Sequence, residues 1–368
     1  MSNNTLKEIK QQPQVWEKVL HELQANQKEW LEFLKPLKNH KVIFTGAGTS
    51  EFIGNALVGY CRQHQLDAEA IASTDIVSAP TKYLLNKPTI LVSFARSGNS
   101  PESVGAVDLA NQFVDDIVHI IITCNKDGQL YQNGLKQVKT KMFLLPAEAN
   151  DLGFAMTSSY SGMMLAAWGI VKLAQADFDI KKIDAELKNF SGLTNYLETE
   201  ANKLSDLDFE RIVYLGSGCN QAFAQESRLK LLELTQGQFP AFFDNTLAFR
   251  HGPKSILNEK TIVFMLVSAS SYERKYDLDL IKELSQQKQI KKLIMLDALD
   301  ENNLAKQGEL VTLNGQLHEE IFIGLAYIYL LQIFAVNKSI QQGLNPDNPC
   351  PTGEVNRVVQ GVVIYPYE

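Results

Sequence analysis

Apolar residues along this chain come in short, dense runs separated by polar, glycine-rich punctuation, and the runs recur. KVIFTGAGTS begins at Lys41 and RIVYLGSGCN at Arg211. Each reads as a polar residue, an apolar strand, G-x-G and a small polar residue, so Gly46 and Gly48 match Gly216 and Gly218 at the same offset. A second apolar run follows in each half, TILVSFA from Thr89 and TIVFMLVSA from Thr261. A third follows, IVHIIITCN from Ile117 and IKKLIMLDA from Ile290, and then short fourth runs, MFLLP from Met142 and LVTL from Leu310. Each half closes on a long apolar helix, predicted near residues 160–176 and 321–336.

Runs of four to eight apolar residues alternating with helical segments predict parallel strands covered by helices on both faces. The fold class is therefore α/β, with two tandem domains, each a parallel sheet flanked by helices in three αβα layers. The expected boundaries are an N-terminal helical segment at 1–39, a first domain at 40–195 and a second domain with a C-terminal tail at 196–368. The junction is placed in the polar stretch at 191–207, and the N-terminal segment is read as one helix over about residues 16–34.

Composition narrows the picture only slightly. Apolar residues make up 45% and charged residues 21%, which argues against disorder. A net charge of −7 supplies no global attraction for nucleic acid or anionic membrane, so neither is expected as a partner. Any phosphate must be held by local donors. Cys61, Cys124, Cys219 and Cys350 lie far apart with no CxxC pair, which suits a reducing cytoplasm and fits neither a disulfide framework nor a zinc site. The polar start MSNNTLKEIKQQPQ lacks the apolar core of a signal peptide. The run 321–336 is short for a bilayer span and is expected as a buried helix.

In open parallel sheets, ligands bind beyond the carboxyl ends of the strands. The loops expected there in the first half are GAGTS, SFARSGNSPES and AMTSSYSG, dense in Gly, Ser and Thr. GAGTS alone reads equally as a tight strand-to-helix turn. A dinucleotide fingerprint is not met, because Glu51 stands three positions beyond Gly48, and no G-K-[ST] marks a P-loop. The second loop says more: Arg96, Ser97 and Ser100 follow a buried strand and precede Pro101-Glu102, where two hydroxyls and one cation can reach a phosphate. Simple N-capping by the serines is the alternative.

In the second half, Glu226, Lys230 and Glu233 fall at i, i+4 and i+7 and share one helix face. They form either a solvated ion-pair stripe or, given the apolar LKLLEL around them, a partly buried group with useful carboxylates. His251, held before Gly252-Pro253, has a side chain suited to proton transfer near neutrality.

Together, GAGTS, FARSGNS, the E-x-x-x-K-x-x-E helix and the HGP turn resemble the sugar isomerase (SIS) domain family over about residues 40–368. The pairing of two such domains is similar to the isomerase half of glucosamine-6-phosphate synthases. FDNTLAFRHGPKSI and NPDNPCPTGEVNRVVQGV resemble the tagatose-6-phosphate ketose/aldose isomerase group, also described as galactosamine-6-phosphate deaminases. The resemblance implies that Ser50, Ser97 and Ser100 hold a phosphate, with Thr49 and Arg96 lining the loop. It implies that Glu233 shuttles a proton between sugar C1 and C2, that His251 assists ring opening from a neighbouring subunit of a homodimer, and that Lys230 positions or polarises the substrate. Glu226 is a further candidate for positioning.

Three departures matter. About 40 residues precede the first strand, so no counterpart of the synthases' glutamine-hydrolysing domain is expected. Ala95 stands where their phosphate loops carry a serine, and Arg96 is expected to compensate. Their tail carries a lysine near its end, whereas Arg357 is what this tail offers, as a positioning residue. The expected function is release of ammonia from galactosamine 6-phosphate to give tagatose 6-phosphate, with no metal and no organic cofactor. The alternatives are an aldose–ketose isomerase acting on a neutral sugar phosphate, or a non-catalytic phosphosugar-binding regulator.

Overall fold

The computed structural model describes residues 3–287, 289–301, 303–359 and 361–368. Met1, Ser2 and Gln360 of the segments singled out above lie outside the described residues. Ten strands form: β1 (Lys41–Thr45), β2 (Ala68–Ala70), β3 (Thr89–Ala95), β4 (Ile117–Thr123), β5 (Thr140–Leu144), β6 (Arg211–Gly216), β7 (Ala241–Asn245), β8 (Thr261–Leu266), β9 (Lys292–Asp297) and β10 (Glu309–Thr312). They build two five-stranded sheets, β2-β1-β3-β4-β5 and β7-β6-β8-β9-β10, with every pair parallel. The second order repeats the first strand for strand, as the repeated sequence requires.

β3, β4 and β8 are buried along their whole length, which explains their dominantly apolar sequences. Alternate side chains serve opposite faces. In the first sheet Ile43, Leu91 and Ile121 pack with Ala106, Val107 and Ala110 of the Pro101–Phe113 helix. On the other face Phe44 stacks on Phe94, with ring centroids 6.1 Å apart. In the second sheet Val213, Val263 and Met295 meet Leu280 and Leu284 of the Glu273–Gln286 helix, while Phe264 meets Phe334 of the Glu320–Gln341 helix at 5.4 Å. That last helix is long and apolar enough to cross a membrane, yet it is buried as the core of its unit.

The chain divides into two compact units that are not contiguous in sequence. The first holds Lys10–Ile183 with the tail Cys350–Glu368; the second holds the residues up to Ile9 with Asp184–Pro349. In the first unit, Ile364 of the tail lies over Gly105, and Tyr367 stands edge-on to Phe113 at 5.0 Å. In the second, the backbone N–H groups of Asn4 and Thr5 donate to the Asp347 carboxylate, each at 2.8 Å.

Two segments differ from expectation. The single N-terminal helix is three, Asn4–Lys10, Gln12–Ala25 and Gln27–Leu34, the last two separated at Asn26. The stretch read as a polar junction at 191–207 lies mostly within one long helix, Ile180–Ser205. Leu187, Phe190, Leu193, Leu197, Ala201 and Leu204 recur every three or four residues and are buried, so an amphipathic stripe was hidden in a polar composition.

Candidate active site

In this strand order the topology reverses between β1 and β3, and in open parallel sheets that is where ligands bind, beyond the carboxyl ends of the strands. Two loops meet that description. After β1, Gly48 has φ +56°, a conformation that glycine adopts without strain, and the chain turns at once into the Thr49–Gln63 helix. Thr49 and Ser50 are therefore first-turn residues, both buried, and Ser50 Oγ lies 3.9 Å from Met156 Sδ. After β3, residues Arg96–Ser100 lead into the Pro101–Phe113 helix, with Ser100 as its N-cap. Ser97 Oγ accepts from the Asn99 N–H at 3.2 Å, and Ser100 Oγ donates to Ser103 Oγ at 2.6 Å. The β4 loop braces this turn from outside: Asn125 Nδ2 donates to the Ser97 carbonyl at 2.8 Å and the Leu130 N–H to the Gly98 carbonyl at 2.9 Å. The arrangement presents hydroxyls at two helix N-termini, which suits an anion.

Arg96 is buried, and its guanidinium is committed to backbone. Nη1 donates to the Phe154 carbonyl at 3.1 Å and Nη2 to the Arg357 carbonyl at 2.7 Å. It clamps the phosphate-type loop, the segment after β5 and the tail together. Arg357 in turn donates from Nη2 to the Asp151 carbonyl. Asp151 is a residue that the sequence reading passed over. Its buried carboxylate accepts the N–H groups of Thr157, Ser158 and Ser159 at 2.8, 3.0 and 2.9 Å and the hydroxyls of Thr157 and Ser159 at 3.0 and 2.5 Å. It thereby caps the Ser158–Ala174 helix. An Asp a few residues before a Thr-Ser-Ser run was the available signal. Cys124 is buried nearby, its thiol pushed up by burial and by the Asp151 charge, which keeps it protonated.

In the second unit the Asn220–Leu234 helix carries the other candidates. The Glu226 and Lys230 side chains are buried, 0% and 1% exposed, and the Glu233 side chain is 24% exposed. Lys230 Nζ donates to Glu233 Oε2 at 2.5 Å and stands 3.4 Å from Glu226 Oε1. Of the two alternatives, the structure holds the partly buried cluster rather than the solvated stripe. Its one outward member is Glu233, a carboxylate held at one oxygen by Lys230 and partly exposed.

His251 is exposed and follows the short 3-10 turn Ala248–Arg250. Gly252, at φ +118°, lets the chain reverse there. Arg250 Nε at 2.9 Å and Lys254 Nζ both bind Glu283, which anchors the turn on either side of the imidazole. The structure thus groups Thr49, Ser50, Arg96, Ser97, Ser100 and Arg357 in the first unit, and Glu226, Lys230, Glu233 and His251 in the second. Among the described residues no cluster of three or more His, Cys, Asp or Glu has the arrangement of a metal site.

The second sheet's own reversal, between β6 and β8, is occupied by side chains that sequence reading also missed. Asp277 accepts from Ser217 Oγ at 2.6 Å, Thr246 Oγ1 at 2.7 Å and the Ser268 N–H at 2.9 Å. Arg274 pairs with Asp297 through both terminal nitrogens, at 2.6 and 2.8 Å.

A profile of the SIS domain matches this chain twice, over residues 37–173 and 207–340. The D-galactosamine-6-phosphate deaminase of Shewanella sp. (strain ANA-3) is 42% identical over 371 residues, spanning 99% of this chain and 92% of that protein. The D-galactosamine-6-phosphate deaminase of Escherichia coli is 40% identical over 381 residues, 99% of this chain and 96% of that one. The crystal structure of tagatose-6-phosphate ketose/aldose isomerase from Escherichia coli superposes with a TM-score of 0.91 at 36% identity, covering 100% of this chain and 97% of that chain. By the two matched segments, their repeated sheets and these full-length likenesses, the chain belongs to the SIS domain family, of which it carries two copies.

Proposed function

We propose that this chain converts D-galactosamine 6-phosphate and water to tagatose 6-phosphate and ammonia. The observation that carries the reading is the Glu233–Lys230 pair, a half-accessible carboxylate held by a buried ammonium, in a chain about 40% identical to proteins named for that reaction. The hydroxyls of Thr49, Ser50, Ser97 and Ser100 hold the 6-phosphate with the helix N-terminal amides, and Arg96 and Arg357 add positive charge. His251 promotes ring opening to the aldehyde. Its exposure suits delivery into the site of a neighbouring subunit, as in a homodimer with shared active sites.

Glu233 then removes the proton from C2, leaving an enolamine, and returns it to C1. The product is a ketimine at C2, which water cleaves to the ketone and ammonia. Lys230 orients Glu233, and Glu226 neutralises and orients Lys230. Side chains and water carry every step, so the reading calls on no metal or organic cofactor. Four free cysteines support a cytoplasmic setting.

A second reading, interconversion of ketose and aldose phosphates without ammonia, is favoured by the name of the superposed Escherichia coli structure. It uses the same proton shuttle. The deciding experiment gives the purified chain galactosamine 6-phosphate, with glucosamine 6-phosphate beside it, and measures ammonia and ketose phosphate together. Stoichiometric release of both products supports the deaminase. Turnover of tagatose 6-phosphate to an aldose phosphate, with no ammonia from either amino sugar, selects the isomerase.

A further inference from the structure

At the amino ends of the first sheet's strands, opposite the phosphate-type loops, lies a cavity of about 550 Å³. Its walls are apolar. Phe44 and Val92 line it from the sheet, and Ala167, Val171 and Ala174 from the Ser158–Ala174 helix. That volume is in the range of small-molecule pockets, and its composition is typical of them. The rim has a different character. Lys35, Lys38, His40 and His64 contribute to the lining, and no Asp or Glu does. Lys35 and Lys38 are exposed, and neither is in an ion pair among the described residues. Two carboxylates lie beside the histidines, and each is already engaged by a lysine outside the lining: Asp116, 3.3 Å from His40 Nε2, by Lys139 Nζ at 2.8 Å, and Asp177, whose charge His64 feels, by Lys172 Nζ at 2.8 Å.

An apolar slot whose exposed, unpaired rim charges are the two lysines selects a ligand with the complementary split. We infer that this cavity is a binding site for a small amphipathic anion, a compact hydrocarbon body ending in a carboxylate. The body displaces water from the apolar walls, and the carboxylate meets the two lysines at the mouth. The cavity is separate from the sugar-phosphate site and shares with it the strands β1 and β3, whose carboxyl ends bear the phosphate-type loops.

The test uses decanoate and, as its uncharged counterpart, decanol, titrated into the full-length chain by calorimetry. Decanoate is expected to bind once per chain, with decanol weaker. Reversing the exposed charges, Lys35→Glu with Lys38→Glu, is expected to weaken decanoate about tenfold, in line with two exposed ion pairs. Ala174→Trp, at an exposed position on the wall, is expected to abolish binding while circular dichroism and sugar-phosphate turnover stay unchanged. No saturable binding of decanoate overturns the inference. Equal affinity for decanol, or binding that survives Ala174→Trp, overturns it as well. So does a change of oligomeric state on Ala174→Trp without decanoate binding to the parent chain, which would make this face a contact between copies.

Discussion

Lys230 is almost wholly buried, yet its ammonium reaches Glu233 Oε2 at 2.5 Å, so the helix holds a half-exposed carboxylate by a cation that solvent does not touch. Glu226, fully buried, lies 3.4 Å from the same ammonium. The three charges are therefore coupled by contact, and their substitutions separate a part in the proposed reaction from a part in stability.

Glu233→Gln keeps size and shape but removes the carboxylate to which the proposed mechanism gives the proton. It is expected to lower kcat by about 10²–10⁴-fold, the usual weight of a positioned proton-transfer group, while the Kd for tagatose 6-phosphate stays near its parent value. Steady-state kinetics with direct titration of the product checks both. Lys230→Met removes the ammonium beside the fully buried Glu226 carboxylate and should cost about 3–5 kcal/mol in urea unfolding. Adding Glu226→Gln to Lys230→Met should recover most of that stability and none of the turnover. Recovery of turnover would show that neither charge serves the reaction.

The clamp around Asp151 yields a second separation. Its carboxylate gathers three amides and two hydroxyls at the start of the Ser158–Ala174 helix. Asp151→Ala is expected to cost about 3 kcal/mol, more than a single exposed cap. Arg357→Ala loses a side chain from the tail but keeps the carbonyl that Arg96 uses, so its stability should barely change. Its KM for the sugar phosphate should instead rise about tenfold, the weight of one charged hydrogen bond. A large stability loss with unchanged KM would make Arg357 structural.

His119 gives a pH signature free of the active site. It sits on β4, 1% exposed, with Nε2 2.9 Å from Asn111 Oδ1, and burial pushes its imidazole down to about 4. A depressed imidazole is neutral when folded and protonated when unfolded below about 6.5, so its contribution is complete above 6.5 and lost as pH falls toward 4. The loss is about 3 kcal/mol across that window. Burial raises the carboxyls of Glu186 and Asp277, which act with the opposite sign, so the comparison must be with a variant. His119→Gln should flatten the difference in urea midpoint between pH 7 and pH 4.5. An unchanged pH slope in His119→Gln would show that the imidazole is not the group responsible.

How far the sequence carried the fold depended on how completely each element is buried. β3, β4 and β8, covered on both faces, were legible as continuous apolar runs, and so was the buried 320–341 helix. β2, three residues containing Glu69, and β7, an edge strand ending in Asp244-Asn245, have half-polar patterns and were not seen. The site followed the same logic. Gly48, Ser97 and Lys230 announce themselves by local motif or helical spacing. Asp151, Glu273 and Asp277 act through partners that only the folded loops bring near, and Arg357 meets Arg96 across 261 residues of chain.

Glu273 motivates the last prediction, which concerns why a chain with two SIS copies should bind one sugar phosphate. At the second sheet's reversal the turn after β6 repeats the first, with Gly218 at φ +55°. A Cβ on Gly218 would stand only 2.6 and 2.7 Å from the two Glu273 carboxylate oxygens, so a carboxylate of the chain itself rests on this glycine turn. Ser268 Oγ donates to it at 2.8 Å. Burial, and then the Glu273 charge, pushes the Glu320 carboxyl up, which places a second acid close by. A dianionic phosphate would meet these carboxylates where the first sheet offers hydroxyls. Equilibrium dialysis with tagatose 6-phosphate should therefore give one equivalent per chain. Glu273→Ser should not add another, because Glu320 and the buried Asp277 remain. Two equivalents in the parent chain would mean that the glycine turn, and not what lies against it, decides where phosphate binds.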